Sequence, residues 1–335
     1  MRDVVLGMAN VESQVGNVEA NLCTIDRWAG EAAAQGVEIC VFPELGVHGY
    51  DCSDIGPLCP EEIVPIPSTV TDRLCAMALK HGMMLVPGLL ERSNSGVIFN
   101  TQLVINSDGT IQGGYRKTHP GISELPTFSA GDELPVFHHP KINFGIQTCY
   151  DTHFPLPSMV LASKGCELII CPHASATQIM SAAAVSSGSP GHFAPGRARA
   201  ADGSTIERGP LKYERWLRYI PARAYDNSIF TAICNQVGRG PSRHARHLST
   251  AGGGASFEGG GVSFVCAPSG EVIAGGPAQG HSWDYNGESL LVCTLQAAAL
   301  ELARTPISFF RRWHHPRTQT WVEQVLGAGY QPSKL

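Results

Sequence analysis

The sequence predicts an α/β protein with mixed sheets, and three observations carry that expectation. Short apolar runs bounded by Gly, Pro or Asn recur along the chain, stretches of helical character separate several of them, and two tight-turn sequences join neighbouring runs directly.

Buried strands are expected over residues 4–8, 39–42, 83–89, 101–105, 142–147, 168–171, 229–235, 261–265 and 289–294. Helices are expected over 18–35, 69–81 and 157–164, the last opening on Pro157, whose fixed φ suits a first helical turn. Asn106-Ser107-Asp108-Gly109 reads as a hairpin turn between 101–105 and 111–115, and Pro268-Ser269-Gly270 as another between 262–266 and 271–274. Hairpins pair antiparallel strands, so the sheets should be mixed. With no fixed-period repeat and no charged or Pro-rich linker, the expectation is one domain over 1–335.

The 335 residues are 43% hydrophobic and 16% charged, which suits a folded chain and argues against disorder. A net charge of -5 offers no field for a phosphate backbone, so nucleic acid is not an expected partner. The chain enters a strand-like run at Val4 without a signal-peptide pattern, and it holds no apolar stretch long enough for a membrane span; it reads as cytoplasmic. Eleven scattered cysteines read as reduced thiols, mostly small core residues, and their spacings do not match a zinc knuckle. Neither His138-His139 nor His314-His315 has carboxylate or Cys neighbours at ligand spacing, so no metal is expected.

Residues 181–209 are rich in Ala, Ser, Gly and Pro and read as a loop or lid, either a surface insertion or a flap over a substrate pocket. The Gly-rich stretch 252–261 lacks the Lys-Ser or Lys-Thr ending of a phosphate loop and precedes a strand. The arginines between Arg197 and Arg218 read as a solvated face of that region rather than as readers of an acidic substrate.

Three apolar runs end in reactive polar residues: Phe42-Pro43-Glu44, Tyr115-Arg116-Lys117 and Thr148-Cys149-Tyr150. In α/β proteins the loops after strand ends are where sites gather. Taken singly, each residue is ordinary. Together they supply what cleavage of an amide requires: a nucleophile, a proton acceptor to activate it, and positive charge where the carbonyl oxygen turns negative. A thiol with an ordinary pKa of about 8.5 is mostly protonated at neutral pH, so Cys149 needs a Glu44 base or a Lys117 charge beside it. The backbone amide of Tyr150 could join Lys117 at the oxyanion.

These blocks resemble the Glu, Lys and Cys motifs of the nitrilase superfamily of carbon-nitrogen hydrolases, in the same order and at similar spacing. The resemblance runs from Gly7 through the three blocks to Ala222-Arg223-Ala224-Tyr225-Asp226-Asn227 and Asn235-Gln236-Val237-Gly238. It implies a four-layer α-β-β-α sandwich of two mixed, six-stranded-type sheets and no metal or organic cofactor. It also implies Glu44 as general base, Lys117 as stabiliser of the tetrahedral intermediate, and Cys149 as the residue that forms a thioester and releases ammonia. Glu124, in the loop after the lysine, matches the second Glu that many members carry. Tyr50, Tyr150 and His173 are the candidate substrate-binding residues, with Cys171-Pro172-His173-Ala174-Ser175 placed by the resemblance at the pocket wall; for His173 a structural loop histidine is the alternative.

Cys149-Tyr150-Asp151 is similar to the amidase and carbamoylase branches and unlike the Trp-Glu that tends to follow the nucleophile in nitrilases. A small amide or N-carbamoyl (ureido) compound is therefore the expected substrate, with nitrile hydrolysis and a catalytically silent scaffold as the alternatives. Leu156 replaces a frequent Glu, and Thr152 and His153 replace the paired arginines of D-carbamoylases, which argues against a D-carbamoyl amino acid. The resemblance also implies a homo-oligomer, to which the aromatic-rich 304–335 segment is the expected contact.

Overall fold

The apolar runs pair into two separate sheets in the computed structural model, which describes residues 1–50, 63, 65–121, 124–175, 178–180, 197–199, 205–207, 211–237, 239–240, 256–258, 261–275, 287–305, 320 and 324. In chain order the elements are β1 (Val4–Asn10), α1 (Val18–Ala34), β2 (Ile39–Val41), α2 (Thr69–His81), β3 (Met84–Val86), β4 (Gly88–Arg92), β5 (Ile98–Ile105) and β6 (Ile111–Arg116). There follow β7 (Phe137–His139), β8 (Ile142–Ile146), a 3-10 turn (Cys149–His153), α3 (Pro155–Ser163), β9 (Leu168–His173), β10 (Gln178–Met180), β11 (Arg197–Arg199) and β12 (Thr205–Glu207). The remainder is α4 (Leu211–Asn227), β13 (Phe230–Asn235), β14 (Arg239–Gly240), β15 (Ser256–Glu258), β16 (Phe264–Cys266), β17 (Val272–Ala274), β18 (Ser289–Leu295) and α5 (Ala297–Ala303).

The first sheet runs β18-β1-β2-β3-β5-β4, with β6 also on β5; the second runs β17-β16-β13-β9-β8-β7. Each has a parallel centre, β1-β2-β3 in one and β8-β9-β13 in the other, flanked by antiparallel strands. Mixed sheets were the sequence expectation, and both hairpins form, with Gly109 and Gly270 at positive φ in their turns.

Alternation along the strands sorts the core into layers. Leu6, Met8, Ile39, Val41, Phe144, Ile146, Leu168, Ile170, Phe230 and Ala232 meet between the two sheets. Their neighbours on the opposite pleat face helices: Cys40, Leu85 and Leu103 pack with Leu22 and Ile25 of α1 and Leu74 of α2. Likewise Ile169, Cys171 and Ile233 pack with Leu161 of α3 and Trp216 and Ile220 of α4. Three apolar interfaces make the order helix, sheet, sheet, helix.

Several boundaries differ from the sequence reading. The first sheet has seven strands rather than six, because β5 is long enough to pair with β4 over Ile98–Gln102 and with β6 over Thr101–Ile105. The run 83–89 is two strands, divided at Pro87, which has no N–H to give a ladder. The helix expected from Pro157 starts at Pro155, a proline that suits the first turn equally. Helix α4 was not expected; Pro221 inside it disguises the pattern.

Of the expected lid 181–209, the described part is the antiparallel pair β11-β12, and the rest lies outside the described residues. Most of the expected contact segment 304–335 lies outside them too. Among the described residues no helix is long and apolar enough to cross a membrane.

Candidate active site

Glu44 sits just past β2, where the chain turns sharply: Leu45 takes φ +51°, and Gly46 N donates to Pro43 O at 3.1 Å. Gln102 on β5 braces the strand ends, its Nε2 donating to Phe42 O at 3.1 Å and Val86 O at 2.7 Å. Gly88 lets the backbone close over this turn, since a Cβ there would lie 2.5 Å from Leu45 N and 2.6 Å from Pro43 O. The Glu44 carboxylate is fully buried. Its Oε1 accepts from Lys117 Nζ at 2.6 Å and Asn100 Nδ2 at 2.8 Å, and its Oε2 accepts from the backbone amide of Ala174 at 3.0 Å.

Lys117 follows β6, its backbone continuing the ladder by donating to Asn100 O at 2.9 Å. Its buried Nζ also donates to Glu124 Oε2 at 2.8 Å and Oε1 at 3.0 Å. Glu124 is held in turn by the Tyr50 hydroxyl at 3.1 Å and by Gly121 N. Two carboxylates therefore flank one ammonium in a dry setting. Burial raises the Glu44 carboxyl above its ordinary range, with the Lys117 charge opposing and the Glu124 charge adding to the rise. For Lys117 burial alone would lower the ammonium, but the charges of Glu44, Cys149 and Glu124 outweigh it and hold the group well above its usual value. The balance favours the charged ammonium.

Cys149 opens the 3-10 turn after β8 with φ +49°, a left-handed conformation that is uncommon outside Gly and occurs where surrounding contacts enforce it. Those contacts centre on Asp151, which is fully buried. Its Oδ2 accepts from Tyr115 OH at 2.7 Å and Thr148 N at 2.9 Å; its Oδ1 accepts from His119 N at 2.7 Å and Thr118 Oγ1 at 3.0 Å, with His119 Nδ1 also at 3.0 Å. One carboxylate thus ties the lysine segment to the cysteine turn. The Cys149 Sγ is 3.5 Å from Ser175 Oγ. By contrast burial pushes the thiols of Cys40, Cys171 and Cys234 up, and that of Cys166 to about 12, so these are inert core residues.

The structure brings Glu44, Lys117, Glu124 and Tyr50 into one hydrogen-bonded cluster. Asp151 joins the Cys149 turn to this cluster, bonding Thr148 N on one side and Thr118 and His119, just after Lys117, on the other. Tyr150 is partly exposed in the cysteine turn, its ring edge-on to Phe154 at 5.4 Å. His173 is buried at the end of β9, its Nδ1 2.9 Å from Cys171 O and its ring edge-on to Trp216 at 4.7 Å. Arg215 and Arg218 are exposed, as a solvated face should be. Sequence reasoning missed Asn100, Asp151 and Asn235 as site builders. The signal was present for two of them: an amide side chain inside the apolar runs of β5 and β13 needs a buried partner.

Comparison with known proteins follows the same lines. The carbon-nitrogen hydrolase family profile matches residues 6–205. The chain is 30% identical over 253 residues to omega-amidase NIT2-B of Xenopus laevis, covering 73% of this chain and 74% of that protein. It is 27% identical over 277 residues to omega-amidase NIT2 of Homo sapiens, covering 80% and 83%. Its fold is that of Saccharomyces cerevisiae Nit3, a member of branch 10 of the nitrilase superfamily, with TM-score 0.67 at 21% identity over 93% of this chain and 97% of that one. An amidase from Nesterenkonia sp. aligns with TM-score 0.63 at 22% identity, over 92% and 96%. A profile spanning more than half the chain leads to one conclusion: the chain belongs to the carbon-nitrogen hydrolase family.

Proposed function

We propose that this protein hydrolyses the C–N bond of a small carboxamide or N-carbamoyl compound through Cys149, releasing ammonia. The observation that carries the reading is the buried Lys117 ammonium held between Glu44 and Glu124, with Asp151 tying the segment after Lys117 to the Cys149 turn. The Cys149 thiol passes its proton to Glu44, and the thiolate attacks the carbonyl carbon. The oxygen that turns negative meets Lys117 and the Tyr150 amide. Glu44 then gives the proton to the leaving nitrogen, which departs as ammonia and leaves a thioester. Water then attacks the thioester carbon as Glu44 takes its proton; the C–S bond breaks to free the acid, and Glu44 returns the proton to sulfur, restoring the thiol. Glu124 keeps Lys117 aimed, and Tyr50 keeps Glu124 in place.

Amides are favoured over nitriles by Tyr150-Asp151 after the nucleophile and by the omega-amidase relatives. The test is ammonia release from a panel of aliphatic and aromatic amides, ureido acids, carbamoyl amines and matched nitriles. Release from amides or ureido compounds that disappears in Cys149→Ala supports the reading; release only from nitriles, or undiminished release in the variant, sinks it. We further propose a homo-oligomer on the aromatic content of 304–335, with Phe309, Phe310, Trp313 and Trp321. Light scattering that gave a monomer would remove that proposal.

A further inference from the structure

Ser175 is held more firmly than a loop serine requires. Asn235 Oδ1 accepts from Ser175 N at 2.9 Å, and Asn235 Nδ2 donates to Ser175 O at 3.0 Å. Both residues are buried. Asn235 is itself anchored: its backbone N donates to Ser263 Oγ at 3.0 Å, and that hydroxyl donates to Asn10 Oδ1. A side-chain amide that gives both its donor and its acceptor to one residue's main chain fixes that residue's position, and a buried network of this kind is rigid when satisfied. What the clamp positions is the Ser175 hydroxyl, 3.5 Å from Cys149 Sγ. The preceding residue, Ala174, gives its amide to Glu44, so two consecutive residues touch the base and the nucleophile.

We propose that Ser175 is a further catalytic residue, whose hydroxyl donates a hydrogen bond to the Cys149 thiolate formed when the thiol proton passes to Glu44. The Ser175 proton stays on Oγ throughout. As the sulfur electron pair forms the bond to the carbonyl carbon, the charge moves to the carbonyl oxygen and the hydroxyl's bond to sulfur weakens. Asn235 is the positioning residue that holds the hydroxyl in range. The inference rests on Cys149 being the nucleophile, and its test needs no turnover.

The test is the rate of Cys149 alkylation by iodoacetamide against pH, followed by mass spectrometry in the wild type and in Ser175→Ala, with folding checked by circular dichroism. A hydrogen bond to a charged acceptor is strong enough that its loss should move the midpoint up by about one pH unit. The rate at neutral pH then falls several-fold, while the high-pH plateau holds or rises, because a more basic thiolate is the better nucleophile. An unchanged midpoint overturns the proposal. Ser175→Thr keeps a hydroxyl and should keep the wild-type midpoint; a shift equal to that of Ser175→Ala would assign the effect to packing and overturn it as well. If Ser175→Ala does not fold, Ser175→Gly carries the same measurement. A shifted midpoint in a protein that releases no ammonia from any amide or ureido compound would leave the Ser175 contact standing and remove only the substrate reading.

Discussion

Lys117 is where the residue-scale energetics are largest, because replacing its ammonium leaves Glu44 and Glu124 buried with no cation between them. Breaking a buried pair by removing one partner typically costs about 3–5 kcal/mol, so Lys117→Met should unfold at markedly lower urea than the wild type as well as losing activity. Glu124→Gln should be milder in stability, since an amide oxygen still accepts from Lys117. The state of Glu44 makes a pH prediction. As the proposed proton acceptor it must be ionised, and burial raises its carboxyl, so the acid limb of kcat/KM should lie above the ordinary carboxylate range. Asn100 Nδ2 donates to the charged form and so lowers that value. Asn100→Ala removes the donor and should move the acid limb to still higher pH; a limb that stayed put or moved down would show that another group limits the rate.

At the scale of elements, the site depends on how strands end. Gly88→Ala should be severe, because the added Cβ would meet backbone at Leu45 N and Pro43 O rather than a yielding side chain, and the Glu44 turn must move to admit it. Overpacking of this kind costs about 1–3 kcal/mol or more, and a thermal melt of Gly88→Ala with its specific activity reads both losses. Tyr115→Phe deletes one of the donors to buried Asp151 and should cost about 1–3 kcal/mol with the backbone otherwise unchanged. Most elements were legible in the sequence because their cues are local. Ser68 caps α2 through Thr71 N, and Gly82 ends it in the left-handed region. Two of the misses had their cue overridden: Pro87 divides a continuous apolar run, and Pro221 lies inside a helix whose place is secured by Trp216 and Ile220 against the second sheet; β7 and α5, only three and seven residues long, were missed as well.

For the whole molecule, the layer between the sheets carries the architecture. Phe144 is fully buried there beside Phe137, with ring centroids 5.6 Å apart. Phe144→Ala should cost about 3–5 kcal/mol, seen as a lower denaturation midpoint with an unchanged slope. The same scale explains which site residues the sequence disclosed. Glu44, Lys117 and Cys149 each end an apolar run, a pattern visible within a few residues. Asn100, Asp151 and Asn235 act on partners that only the folded sheets bring near, Asn235 reaching back 60 positions to Ser175. The Ala174 amide, 130 positions from Glu44, left no cue at all, since every residue but proline offers an N–H. That contact has a consequence for how such a protein can be retooled. A donor belonging to the peptide bond survives any exchange that leaves the backbone at buried position 174 in place, so Glu44 keeps this partner while side chains farther out drift. Inheritance can hold the bond-breaking apparatus constant and still try new molecules, and a laboratory seeking a different substrate should randomise the chain after Ser175 and leave the strand before it alone.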